Sequence, residues 1–183
     1  MISRAEAIEI LKRYISRENN LKHMISVGAI MKETASKLHQ NEAEWEIIGL
    51  LHDIDFEICG NPSNHTIKAK ELLREIVPES AIEVIMAHNY EHTNVSVDTI
   101  EKKALIASDA ASGLIVASAL VMPSKKLEEV RLETLIKKFK SRDFAKNVSR
   151  DRISLCTQFG MSIDEFLQIA LDGMKRISTE LGL

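Results

Sequence analysis

Apolar residues recur along this chain at helical spacing, broken by short polar stretches, and the pattern predicts a run of helices with no sheet. Ser3 and Glu6 have capping-box spacing ahead of Ile8, Ile10, Leu11, Tyr14 and Ile15, which predicts a first helix over residues 4–17. Asn19 or Asn20 is placed to cap a second, carrying Leu21, Met24, Ile25, Val27, Ile30 and Met31, with His23 in its first turn. A third is predicted over 42–54, apolar at Trp45, Ile47, Ile48, Leu50 and Leu51 and ending in His52 and Asp53. Residues 56–64 read as a loop because they hold Gly60, Asn61, Pro62 and Ser63. Helices follow over 65–76 and, after Pro78 and a Ser80 cap, from 81 to at least 88. A connection at 94–98 leads into a strongly apolar helix over 99–122, which Pro123 stops. The remainder predicts helices near 125–139, over 150–159 up to Gly160, and after the Ser162–Glu165 capping box.

Only 3 prolines and 7 glycines among 183 residues agree with long helices and short loops, so the expected class is all-α, a helical bundle. That length suits one core, and a single domain is expected over 1–183. A hydrophobic content of 45% and a charged content of 28% are ordinary for a soluble domain. The 19 residues 104–122 carry Asp109 as their only charge and approach the length of a membrane span. Small residues surround that acid and no second such stretch exists, so the expectation is a helix buried in a soluble core, with no membrane partner. Arg4, Glu6, Glu9, Lys12 and Arg13 occupy the positions where a secretory signal would be apolar, which points to a cytoplasmic protein. Cys59 and Cys156 match no disulfide or zinc-finger spacing. A net charge of -3 argues against a nucleic-acid polymer as partner but not against a small anion held by a metal.

The chemistry is carried by five of the six histidines and two aspartates, which fall near predicted helix ends or on apolar helices where unpaired polar groups are costly. His23, His52, Asp53 and Asp109 offer two imidazoles and two carboxylates, a donor set suited to iron, manganese, nickel or zinc. His65 and His88 offer nitrogens to a second ion. Successive helical residues diverge by about 100°, so His52 and Asp53 cannot hold one ion identically, but a carboxylate lying between two ions bridges them.

The order His23, His52-Asp53, His65, His88, Asp109, set in LLHDID (50–55), NHTIKAKELL (64–73), IMAHNYEH (85–92) and ASDAASGL (107–114), resembles the HD-domain superfamily of metal-dependent phosphohydrolases. The resemblance extends past residue 123 to a subset of small HD-domain proteins described as predicted hydrolases, on KKFK (137–140) and FAKNVSR (144–150). It implies an HD-domain-like helical bundle with a metal-site core over 19–122 and a helical extension over 124–183. It also implies that His23, His52, Asp53 and Asp109 hold one ion, and that Asp53, His65 and His88 hold a second. Many relatives carry Gly-Lys two residues after the pair; this chain has Asp55-Phe56, so the role of that lysine does not transfer.

The expected function is hydrolysis of a small phosphorylated metabolite or nucleotide, with Asp53 as the catalytic bridge between one or two divalent transition-metal ions. Two alternatives use the same scaffold: a di-iron oxygenase of the HD-domain type and a non-catalytic nucleotide-binding regulator. His92, four residues after His88, is a candidate pocket residue, whereas His39 is expected in solvent. Between Lys125 and Arg152 ten basic residues stand against five acidic ones, and Lys137, Lys138 and Arg150 are the candidate phosphate contacts from that excess.

Overall fold

The computed structural model describes residues 1–183 as eleven α-helices and two 3-10 turns, 67% helical and without a strand. Helix α1 (Arg4–Tyr14) begins as the sequence predicts, with Glu6 N–H donating to Ser3 Oγ and Ser3 N–H donating to Glu6 Oε2. Helix α2 (Glu18–Lys37) differs, because neither Asn19 nor Asn20 caps it. Glu57, from a loop 40 residues on, accepts from Ser16 N–H and Oγ–H, Arg17 N–H and the Asn20 amide. The cap is delivered through tertiary structure, which is why local spacing did not reveal it.

Those donors, led by the Ser16 hydroxyl and N–H, pull Glu57 down to about 2 from its ordinary 4.5. A depressed carboxyl contributes stability above its unfolded pKa and loses it as pH falls. The stability gap between metal-free parent and Glu57→Gln is therefore expected to be full above pH 4.5 and to close toward pH 2, read by thermal denaturation across that range. A gap independent of pH would mean the charge is irrelevant to the cap.

Helix α3 (Glu42–Leu51), capped by Asn41, crosses α2 at two glycines. A Cβ on Gly49 would lie 2.8 Å from Gly28 Cα and 2.9 Å from Val27 O, so the backbones touch there. Short helices α4 (Ile67–Leu73), α5 (Glu79–Ala87) and α6 (Tyr90–Thr93) follow. The predicted start at residue 65 shifts to Ile67 because Thr66 adopts the left-handed region, φ 67°. Helix α7 (Ile100–Leu120) is the apolar one, and 67% of its most apolar window is buried against the other helices.

Beyond it, a 3-10 turn (Leu127–Glu129) and α8 (Leu132–Lys140) replace the one helix expected near 125–139. Helix α9 (Arg150–Ser154) runs into a second 3-10 turn (Leu155–Phe159), ended by Gly160 at φ 87°. Helix α10 (Ile163–Arg176) is capped by Ser162, while Glu165 pairs with Lys37 of α2 at 2.8 Å. Helix α11 (Ser178–Leu181) closes the chain. One core of 43 buried residues runs from Ala7 through Met31, Leu51, Ile82 and Leu114 to Phe166 and Leu181, so the C-terminal helices share it with the first seven. Helix α2 packs chiefly on α3, α10 and α7. The ends of α3 and α5 and the middle of α7 meet it on one side, where the site lies.

Candidate metal centre

The structure brings His23, His52, Asp53, His65, His88 and Asp109 into one cluster. Helix α2 carries His23, in its second turn because the helix begins earlier than predicted. Helix α3 ends at Leu51, so His52 is its C-cap and Asp53 lies in the turn beyond, which gives the two side chains different directions. His65 precedes α4, His88 caps the C-terminus of α5, and Asp109 comes from the middle of α7. The rings of His23 and His52, His52 and His88, and His65 and His88 stand edge to face with centroids 5.2, 5.0 and 5.1 Å apart.

Asp53 lies at the centre with its two oxygens divided. Oδ2 faces His23 Nε2 at 3.6 Å and His52 Nε2 at 3.5 Å. Oδ1 faces His65 Nε2 at 3.1 Å and His88 Nε2 at 3.8 Å. Asp109 is divided likewise, Oδ1 lying 3.3 Å from His23 Nε2 and Oδ2 lying 3.4 Å from His88 Nε2. Two donors each about 2.1 Å from one ion, at tetrahedral or octahedral angles, lie about 3.0 to 3.4 Å apart. These spacings are close to that.

The donor atoms of His23, His52 and Asp109 lie within 4.8 Å of one another, as do those of His52, Asp53 and His88. His65 belongs to neither group and reaches the cluster through Asp53 Oδ1. The buried His/Asp group could therefore hold a metal ion.

Each ring but one is fixed from behind. His52 Nδ1–H donates to Gly49 O at 2.8 Å, which leaves Nε2 facing Asp53. Ser112 Oγ–H donates to Asp109 O, so it accepts from His23 Nδ1–H at 3.1 Å and leaves His23 Nε2 as the free donor atom. His65 Nδ1 bonds Asp55 Oδ1 at 2.8 Å. His88 Nδ1 has no partner. Within the cluster, His52 Nε2 and Asp53 Oδ1 are buried without a hydrogen bond. Such groups cost about 1 to 3 kcal/mol each when left unpaired, and a cation between them removes that cost.

The electrostatics suit a cation too. Burial opposes charge on Asp53, but His52, His65, His88 and His23 outweigh it and hold the carboxyl far below its usual range. Asp109 is lowered in the same way, against its burial, by His23 and His88. Burial drives His52 down to about 4, so this ring is neutral near pH 7 and has a lone pair to give. Burial also opposes protonation of His65, but Asp53 and Asp55 raise it to about 9. A metal taken up beside His65 must displace a proton.

A cleft of about 350 Å³ opens over the cluster, walled by Asn20, Phe56, Asn89 and Arg152 together with His23, Asp53, His65, His88 and Asp109, while His52 lies buried behind them. Arg152 Nη1 lies 3.8 Å from Asp109 Oδ2, and its guanidinium packs over the Tyr90 ring at 5.6 Å. The candidate phosphate contacts fall elsewhere. Lys137 and Lys138 line a separate surface hollow with Glu133, Thr134 and Ser141. Arg150 donates to the carbonyls of Lys138, Phe139, Ser141, Phe144, Ala145 and Val148, which leaves no free face for a substrate.

His92 is exposed and does not wall the cleft, but its Nδ1 bonds Asn89 Oδ1 at 2.9 Å. The Asn89 amide in turn donates to Pro62 O and His65 O and ties down the His65 loop. His39 is in solvent. Sequence reasoning missed Arg152, counted only within a basic excess, and Asp55, whose one signal was a second acid at the end of an apolar helix. Comparison with protein-family models, curated proteins and solved structures finds no match to this chain.

Proposed function

We propose that this chain is a metal-dependent phosphohydrolase of the HD-domain type, cleaving a small phosphorylated compound at two divalent ions bridged by Asp53. The observation that carries the reading is the division of Asp53, with Oδ2 toward His23 and His52 and Oδ1 toward His65 and His88. The ligand order in LLHDID, NHTIKAKELL, IMAHNYEH and ASDAASGL, resembling that superfamily, supports it. His23, His52, Asp53 and Asp109 would hold one ion, and His65, His88 and the second oxygen of Asp53 the other. Iron, manganese, nickel and zinc all suit this donor set. Such ions, when bound, would supply a hydroxide near neutral pH and polarisation of a phosphoryl oxygen.

The chain's own part is to bind and orient. Arg152 is the only Lys or Arg side chain walling the cleft, and its planar fork suits two phosphoryl oxygens. Phe56, 51% exposed, offers an apolar face at the rim to the body of the substrate. Asn89 keeps the His65 loop in place.

The test is a phosphate-release screen over small phosphoesters with protein loaded with Mn2+, Fe2+, Ni2+ or Zn2+. Release that depends on metal is expected. A blank screen accompanied by oxygen consumption would replace hydrolysis with oxygen chemistry, and tight nucleotide binding without product would make the chain a regulator. For a substrate so found, Arg152→Ala is expected to raise KM about 10- to 100-fold, the worth of a charge-assisted hydrogen bond, with metal content unchanged. An unchanged KM would remove Arg152 from the binding site.

A further inference from the structure

Asp55 is completely buried, and both of its oxygens are committed. Oδ1 bonds His65 Nδ1 at 2.8 Å. Oδ2 accepts from Thr66 N–H at 2.8 Å and Ala69 N–H at 3.1 Å, the free donors at the start of α4. Between them stands Thr66, a β-branched residue at φ 67° and ψ -23°, with its hydroxyl buried and unbonded. That conformation is costly for such a side chain and persists only where its surroundings impose it. The strained turn sets His65 with Nδ1 bonded to Asp55 and Nε2 facing Asp53 Oδ1 at 3.1 Å.

We propose that Asp55 is a positioning residue that makes His65 a metal ligand, with one oxygen fixing which ring nitrogen carries the proton and the other holding the strained turn that aims the ring. This deepens the two-ion reading above and rests on it. A neutral imidazole ligates through its bare nitrogen, so an acceptor at Nδ1 keeps the proton there and leaves Nε2 for the ion.

Asp55→Asn separates the two roles. The N–H groups of Thr66 and Ala69 require an acceptor, so the amide oxygen stays on them and the cap survives. The amide NH2 then faces His65 Nδ1, where two donors conflict unless Nδ1 is bare. A bare Nδ1 puts the proton on Nε2 and blocks ligation.

The experiment titrates metal-free parent and D55N with Mn2+ alone by calorimetry, alongside thermal denaturation of both metal-free proteins. D55N is expected to melt near the parent, to bind the first equivalent as the parent does, and to bind the second about 10- to 100-fold more weakly. In a His65→Ala background D55N should change Mn2+ binding no further, because the ring it acts through is gone. A second equivalent bound within about twofold of the parent would overturn the proposal. So would loss of the fold in D55N, since the cap would then need the carboxylate itself. A parent that binds fewer than two equivalents sinks the two-ion reading and this proposal with it; two equivalents in both proteins, at equal affinity, sink this proposal alone.

Discussion

Asp53→Ala is expected to leave the protein helical and strip it of both ions. The substitution removes a ligand from each ion at once, because its two oxygens face different pairs of histidines. It would also remove the negative charge between the two proposed cations, which two-metal sites hold about 3.5 to 4 Å apart and whose repulsion would then oppose double occupancy. Metal-dependent turnover should fall by at least about 1000-fold, since both activation of water and polarisation of the substrate are lost. The fold should survive, because the 43-residue core is apolar and excludes Asp53. His65→Ala is the contrasting case, expected to keep about one equivalent on the ion held by His23, His52, Asp53 and Asp109. Metal analysis and circular dichroism on the two variants check this. Equal metal content in Asp53→Ala and parent would remove Asp53 from the site altogether.

Gly49→Ala is expected to be the most damaging small change away from the ligands. Helix propensity alone favours alanine by about 1 kcal/mol. The added Cβ, however, would meet Gly28 Cα at 2.8 Å and Gly28 N and Val27 O at 2.9 Å, all backbone atoms that cannot rotate away. Helix α3 must therefore lift off α2, and overpacking of this kind costs about 1 to 3 kcal/mol. For a chain of 183 residues that lowers the melting temperature by about 2 to 12 °C.

The damage should reach the site, because Gly49 O is the acceptor that orients His52 and because Asp53 follows directly. Lower melting and weaker Mn2+ binding are expected together in thermal denaturation and titration. A stabilised variant with parental affinity would show that the two helices have room to spare.

The helices were legible because apolar periodicity marks buried faces; the cluster was legible because imidazoles and carboxylates on such faces need a partner and because their order along the chain resembles that of a known superfamily. The elements that set the geometry were not legible. Glu57 caps α2 from 40 residues away, so Asn19 and Asn20 looked like the natural caps. Gly28 and Gly49 read as weak points in two helices until their backbones are seen to touch. Thr66 in the left-handed region has no local signature, since its conformation is imposed by Asp55.

Arg150 and Arg152 illustrate the limit of charge counting. They sit two residues apart on α9, yet one is enclosed by the carbonyls of the 138–148 segment and the other walls the cleft. Only the path of that segment tells them apart.

The most direct measurement is electron paramagnetic resonance of the metal-free protein titrated with Mn2+. A carboxylate bridging two ions about 3.5 to 4 Å apart couples their spins, so the expected result is an exchange-coupled spectrum that grows in with the second equivalent and is absent from Asp53→Ala. A spectrum of isolated Mn2+ at every loading, or no binding at all, would contradict a two-ion centre bridged by Asp53.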